Sequence, residues 1–394
     1  MLVPNLRFPK YKSYWTNYSL KDVSSNVSYG MNSAAKKYDG YNKYIRITDI
    51  DEITREFTPN PISSPSGYLD NKYKLKSGDI LFTRTGASVG KTYLYKKRDG
   101  NLYFAGFLIR FSICKANPYF VYSQTLTTCY KRWVNIYSMR SGQPGINAEE
   151  YKDFNFYAPC IEEQNKIADF LSSVDEKIAL QNRKVELLQQ YKKGMMQKLF
   201  SQEIRFKDDN GCSFSKWEKT TLSCVASITM GTSPGSSHYN ANQHGLPLIQ
   251  GNADIKNRNS EPRVYTRQIT KECHYNDILL SVRAPVGEVA RSKHHACIGR
   301  GIAALKASGS NDQEFLYQLL LSIENKWDRI SQGSTFESIN TNDIKTLPIE
   351  IPSLLEQKKI ADSLSLIDDK IILENTKLDK LKQWKQGLLQ QMFV

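Results

Sequence analysis

Pro159–Phe200 reads PCIEEQNKIADFLSSVDEKIALQNRKVELLQQYKKGMMQKLF, and Pro352–Phe393 reads PSLLEQKKIADSLSLIDDKIILENTKLDKLKQWKQGLLQQMF. The two align without a gap: Gln164 falls on Gln357, and 357 − 164 = 193. About half of the aligned positions are identical, so the chain carries an internal repeat. In the first copy Ile167, Leu171, Val174, Ile178, Val185 and Leu188 are spaced alternately by four and three, apart from a gap at Gln181. In the second copy Ile360, Leu364, Ile367, Ile371, Leu378 and Leu381 match them, with Glu374 in the gap. An a/d seam kept over several heptads predicts two long helices that pair as a coiled coil. The later polar seam residues also coincide, Lys192 with Lys385. Each stretch starts after a proline and has an acidic first turn, where the helix dipole favours negative charge.

The similarity extends outward from the helices. Leu6-Arg7-Phe8 resembles Ile204-Arg205-Phe206, and a tryptophan follows each, Trp15 and Trp217. Further on, Gly78-Asp79-Ile80-Leu81-Phe82-Thr83 faces Asn276-Asp277-Ile278-Leu279-Leu280-Ser281. The apolar run in each reads as a buried strand, and the Gly, Ser, Thr and Arg after it read as a turn. The run from Ser141 to Asn147 then faces that from Gln332 to Asn340. The unit is a mixed α+β domain followed by a long helix, and it occurs twice. The expected segments are residues 1–157, 158–200, 201–350 and 351–394. Antiparallel pairing of the helices needs no long return connection. It also brings Phe393 beside Leu6-Arg7-Phe8, as Phe200 precedes Ile204-Arg205-Phe206.

The chain has 394 residues, 40% of them hydrophobic, enough for two or three cored domains. Its 54 Lys and Arg exceed its 40 Asp and Glu by 14, a balance that favours polyanionic partners, nucleic acid first. No apolar run is long enough to span a bilayer, and the first residues lack the apolar core of a signal peptide. The seven cysteines form no CxxC and are odd in number, which speaks against a disulfide framework. A reducing cytoplasm is the expected setting.

Three stretches have the outline of catalytic or cofactor motifs, and each falls short. Asn117-Pro118-Tyr119-Phe120 resembles the NPPY/F motif of amino-methyltransferases but lacks its second proline. Gly299-Arg300-Gly301 is half a dinucleotide fingerprint without its βαβ setting. His294, His295 and Cys297 are crowded, with no partner pair at zinc spacing. There is no phosphate-binding GxxxxGK[ST] loop. No catalytic residue and no metal ligand are expected.

Polar loops suited to DNA are better represented. The first domain offers Thr83, Arg84, Thr85, Lys91, Arg140, Ser141 and Gln143. The second offers Gln250, Asn252, Arg283, Arg291, Arg300, Gln332, Ser334 and Thr335. Arg reads guanine bidentately in the major groove, Gln and Asn read adenine, and Ser, Thr and Lys hold phosphates.

GDILFTRTGASVGKTYLY (78–95), NDILLSVRAPVGEVARS (276–292), CIGRGIAAL (297–305) and the helix openings at 159–168 and 352–361 together resemble the specificity subunits of type I restriction–modification enzymes. The openings PCIEEQ and PSLLEQ are less proline-rich than the family's usual form. The resemblance covers the whole chain. It implies two pseudo-symmetric α+β target-recognition domains, separated by an antiparallel pair of long coiled-coil helices. Each domain is expected to read one half of a bipartite double-stranded DNA target. Two modification subunits, which carry S-adenosylmethionine, are expected to dock around the helices, and restriction motor subunits, which use ATP and magnesium, to join them. No cofactor is expected in this chain. Two other readings compatible with the residues alone are a coiled-coil adaptor that does not touch DNA and a chain of a combined methyltransferase–nuclease.

Overall fold

The computed structural model describes residues 3–331 and 338–394, with side chains for all of these but 328–331. The chain divides into two compact units, Met1–Asn182 with Thr376–Val394, and Arg183–Asn375. The long helices span Ile161–Phe200 and Leu354–Met392, and each contributes to both units.

The first unit is built on a four-stranded antiparallel sheet in the order Ser24–Tyr29, Leu108–Ile113, Asp79–Thr83, Thr92–Leu94. The central strand Asp79–Thr83 is buried throughout, as its unbroken apolar run predicts. Helices Pro118–Gln124 and Thr128–Tyr137 cover one face. The first of these begins at the methyltransferase-like tetrapeptide. Asn117 is its N-cap, accepting from the amides of Tyr119 and Phe120, and Pro118 sits in its first turn. That stretch is a helix start, which Asn followed by Pro favours without any chemistry.

The second unit repeats this plan. Its six-stranded sheet runs Ala226–Met230, Ile302–Ala307, Ile278–Ser281, Val289–Arg291, and then two further short strands. Helix Gln313–Ser322 occupies the place of Pro118–Gln124, with Asp312 as its N-cap in place of Asn117.

The repeat persists down to single hydrogen bonds. The Gln164 amide oxygen accepts from the N-cap amide of Asn117 at 3.0 Å, and its nitrogen donates to the Pro159 carbonyl at 2.8 Å. Gln357 does the same with Asp312 at 2.9 Å and Pro352 at 3.0 Å. Trp15 packs edge-on against Phe120 and Phe393, and Trp217 against Phe315 and Phe200. Arg7 holds the fully buried Glu163 in a two-pronged ion pair, and Arg205 holds the fully buried Glu356 likewise.

Within each unit the helix segments run antiparallel. In the first unit Asp175 pairs with Lys385 at 2.5 Å, Phe170 meets Trp384, and Ile167 and Leu171 share a core with Leu388 and Met392. In the second unit Lys184 pairs with Glu374 at 3.0 Å and Lys192 with Asp368 at 2.7 Å. Moving forward along one helix therefore moves backward along the other. All twelve seam residues are buried or half-buried: Ile167, Leu171, Val174, Ile178, Val185, Leu188, Ile360, Leu364, Ile367, Ile371, Leu378 and Leu381. The lysine interruptions are explained too. Lys192 and Lys385, 193 apart, each take an aspartate, Asp368 and Asp175, that is also 193 from its counterpart. A polar seam position thus finds a partner and helps to fix register.

The first described segment of the chain joins the end of the second long helix. The amide of Leu6 donates to the Gln391 carbonyl at 2.8 Å, and Phe393 lies against Trp15. The start and finish of the chain meet as the matching Leu6-Arg7-Phe8 and Ile204-Arg205-Phe206 segments predict.

Candidate nucleic-acid interface

In the first unit strand Asp79–Thr83 ends in a tight turn that pairs with the loop before residue 147. Thr85 bridges Gly145, Ile146 donates to the Arg84 carbonyl at 2.9 Å, and Gly86 donates to the Pro144 carbonyl at 3.0 Å. Gln143 closes over Gly86, its amide nitrogen 3.2 Å from where a Cβ would stand. Gly86 has φ +77°, so a side chain there is both strained and crowded. Arg84, Thr85 and Gln143 are thereby gathered on one surface. The Arg84 guanidinium lies 5.1 Å from the Tyr29 ring centre and 5.9 Å from that of Phe107. Phe107 is 59% exposed at the tip of its turn, beside Arg84. Arg140 pairs with Glu150, while Ser141 is exposed in the same loop.

Two expected contacts belong to the interior. Thr83 is fully buried; its hydroxyl donates to the Ser88 carbonyl and accepts from the Lys91 amide, bracing the turn. Lys91 is only 5% exposed, and its ammonium donates to the Ile50 carbonyl and to Glu52, each at 2.9 Å. Desolvation holds that charge on internal partners, so Lys91 is a strut and not a phosphate ligand.

The second unit repeats the loop pairing with different side chains. Arg283 bridges Ser338, and Ile339 donates to the Val282 carbonyl at 3.1 Å. By this pairing Arg283 stands where Thr85 stands in the first unit. Ser233, Gln250, Asn252, Ser281, Arg283, Arg300 and neighbouring backbone line a polar cavity of about 150 Å³. Gln250 follows strand Leu246–Ile249, and Arg300 follows the parallel strand Ala296–Ile298, so both project from the same end of that sheet. A Cβ on Gly301 would lie 2.3 Å from the Gln250 carbonyl oxygen, so a glycine is needed for this approach. At the matching point of the first unit Phe107 takes the place of Gly301, each carbonyl accepting from the residue after the central strand, Arg84 or Val282.

Among the described residues neither Arg283 nor Arg300 forms an ion pair, whereas Arg7, Arg46, Arg205, Arg258, Arg263 and Arg291 all do. The Asn252 amide donates to the Pro285 carbonyl at 3.0 Å, but its oxygen is buried without a partner. Such an acceptor costs about 1–3 kcal/mol unless a donor arrives. Two unpaired cations and an unused acceptor around one polar cavity suit an anionic, hydrogen-bonding ligand.

Arg291, by contrast, is turned inward. Its guanidinium lies 3.8 Å from the centre of the Tyr317 ring and pairs with Glu314. Burial disfavours both charges, but the pairing prevails, raising Arg291 and lowering Glu314 from their usual pKa values. Gln332, Ser334 and Thr335 lie outside the described residues. Sequence reasoning passed over Tyr29, Phe107 and Ser233. The signal available for Phe107 was a large ring directly after Gly106 in a turn; Ser233 sits in the polar turn Gly231-Thr232-Ser233-Pro234.

Comparison with known proteins agrees with this architecture. The family model for the type I restriction modification DNA specificity domain matches twice, at residues 12–190 and 215–383. The specificity subunit assigned to the type I restriction enzyme MjaX of Methanocaldococcus jannaschii is 31% identical over 395 residues, covering 95% of this chain and 92% of that protein. The type I restriction–modification S subunit of M. genitalium superposes with a TM-score of 0.63 at 15% identity, over 100% of this chain and 99% of that one. A chain solved in work on complex assembly and conformational transition of the type I R-M system gives a TM-score of 0.61 at 24% identity, over 96% and 98%. At these identities the two structures speak for the fold, while the two full repeats of the family domain decide the membership. The chain belongs to the type I restriction modification DNA specificity family.

Proposed function

We propose that this chain is the DNA-reading subunit of a type I restriction–modification complex, with each α+β domain reading one half of a bipartite duplex target. The observation that carries this is the cavity of the second unit, where Arg283, Arg300 and the unpartnered Asn252 oxygen converge. Arg presents a two-pronged donor to guanine, and an Asn oxygen accepts from the adenine amino group. The matching loops of the first unit carry Arg84, Thr85 and Gln143, a different set on the same frame, as two different half-sites require. Ser141, exposed in the same loop, would meet phosphate beside them, and Arg140 would do so on leaving Glu150.

The helices dock two modification subunits and set the half-site separation. Supporting this, the first unit exposes Leu180 and Trp384, and the second exposes Leu373 and Tyr191. These are equivalent positions, since 373 − 180 and 384 − 191 are both 193. Exposed apolar side chains repeated in this way suit two copies of one partner. The chain itself supplies no catalytic group. S-adenosylmethionine belongs to the modification subunits, and ATP with magnesium to the restriction motor subunits.

Inserting one heptad into both helices keeps the seam in phase and adds about 10.5 Å to each. The unspecified spacer of the target then grows by about three base pairs, at roughly 3.4 Å each, while both half-site sequences stay as they are. Mapping methylated adenines in a host carrying the complex reads this directly. An unchanged spacer would refute the role of the helices in spacing.

A further inference from the structure

We propose that Glu272, His274 and His295 form a binding site for a divalent transition metal, with zinc the best match. The donors come from one antiparallel ladder. Strand Glu272–Cys273 pairs with Ala296–Ile298 in the register Glu272 to Cys297 and Cys273 to Ala296. Residues two apart on a strand share a face, so Glu272 and His274 point the same way. Continuing the register sets His295 opposite His274. Three ligand-competent side chains thus converge from two neighbouring strands, with one potential donor atom from each within 4.8 Å of the others.

Without an ion the three side chains rest on one another. The His295 Nε2 atom and a Glu272 carboxylate oxygen are 2.5 Å apart. The two imidazoles lie almost parallel, at 10°, with centres 4.8 Å apart. Zinc bonds of about 2.0–2.1 Å place tetrahedral donors about 3.4 Å from one another. All three side chains are exposed, so small rotamer changes bring them to that spacing. Two histidines and one glutamate, with water in a fourth position, are a donor set that zinc accepts. Asp277 lies nearby, its carboxylate 3.9 Å from His274 Nδ1. It already accepts from the His274 amide, and is placed to orient the ring from outside the ligand set.

The histidine–cysteine cluster visible in the sequence is not this site. His294 turns to the Ser260 hydroxyl at 2.8 Å, and Cys297 is fully buried. Only His295 is shared. The site stands at one end of strand Ala296–Ile298, and the other end leads into Gly299 and Arg300 beside the polar cavity. Glu272–Cys273 is an edge strand of its sheet. A bound ion would tie that edge to the strand that leads to Arg300.

Calorimetric titration of zinc into the purified full chain tests the site, alongside His274→Ala, His295→Ala and Glu272→Gln. The expected result is one zinc per chain, a rise in melting temperature with zinc, and affinity at least about tenfold weaker in each histidine variant. Cobalt(II) bound in place of zinc should show no thiolate-to-metal charge transfer, which separates this site from the exposed cysteines Cys114, Cys129, Cys160, Cys212 and Cys224. The proposal is overturned if the wild-type chain binds no zinc. It is equally overturned if the His274→Ala/His295→Ala double variant binds zinc as tightly as wild type, or if the cobalt spectrum is that of a thiolate site.

Discussion

Arg205→Ala lowers the stability of the chain by about 3–5 kcal/mol, the usual consequence of leaving a buried charge without its partner. The Glu356 carboxylate is fully buried in the first turn of the second long helix, and Arg205 reaches it with two bonds of 3.0 and 2.6 Å. The same guanidinium donates to the Ser215 carbonyl at 2.6 Å. Removing it strands an anion in the protein interior and frees a carbonyl at once. Arg7→Ala should act alike in the first unit, where Glu163 is just as buried and the bonds are both 2.7 Å. The double replacement Arg205→Met/Glu356→Leu removes both charges and should cost far less than the single one. Urea unfolding followed by circular dichroism distinguishes the cases. A loss under about 1 kcal/mol for Arg205→Ala, the range of an exposed pair, would contradict the reading.

Arg283→Ala and Arg300→Ala change what the second unit recognises. Each removes a guanidinium that, among the described residues, is in no ion pair and lines the same polar cavity. A bidentate contact to a base is worth about 1–3 kcal/mol of discrimination, so each variant relaxes one position of one half-site by roughly 5- to 150-fold. Folding stability should hardly move, because among the described residues no partner of either guanidinium is lost. An Arg that touches phosphate instead would weaken binding to all sequences alike and make the salt dependence shallower. Methylation profiles on a library of randomised targets separate the two outcomes. Arg291→Ala is the contrasting control. Its partners Glu314 and Tyr317 are internal, so stability falls and base preference is preserved.

Much of the architecture was legible because the chain states it twice. A seam of apolar residues at alternating spacing has few physical solutions, and two matched seams make pairing the natural one. The constant offset makes the two lysine–aspartate pairs equivalent, while the pairing itself is seen only in the structure. The site was legible only as a set of loops. A sequence shows that Thr83, Lys91 and Arg291 stand in polar surroundings, but not which way they turn. Lys91 enters a strand, Thr92–Leu94, that is buried at every position, and its amine ends on a carbonyl 41 residues earlier in the chain. Arg291 is claimed by Glu314 on a helix 23 residues further on. These long-range captures leave no local pattern. The converse holds for Glu272, His274 and His295, whose separation in sequence hides a ladder that sets them side by side. Phe107 and Gly301 show a third limit. One position in a repeated loop carries an exposed ring in one unit and a glycine beside a cavity in the other, and composition does not reveal which.

On the function proposed here, the two α+β domains read the two halves of one target independently. Replacing residues 15–155 with the corresponding domain from a family member of different specificity tests it most directly, with methylated adenines mapped across a host genome. The expected result is a bipartite target in which one half changes to that of the donor, while the other half and the spacer length stay as they were. A change in both halves, or in neither, would contradict it.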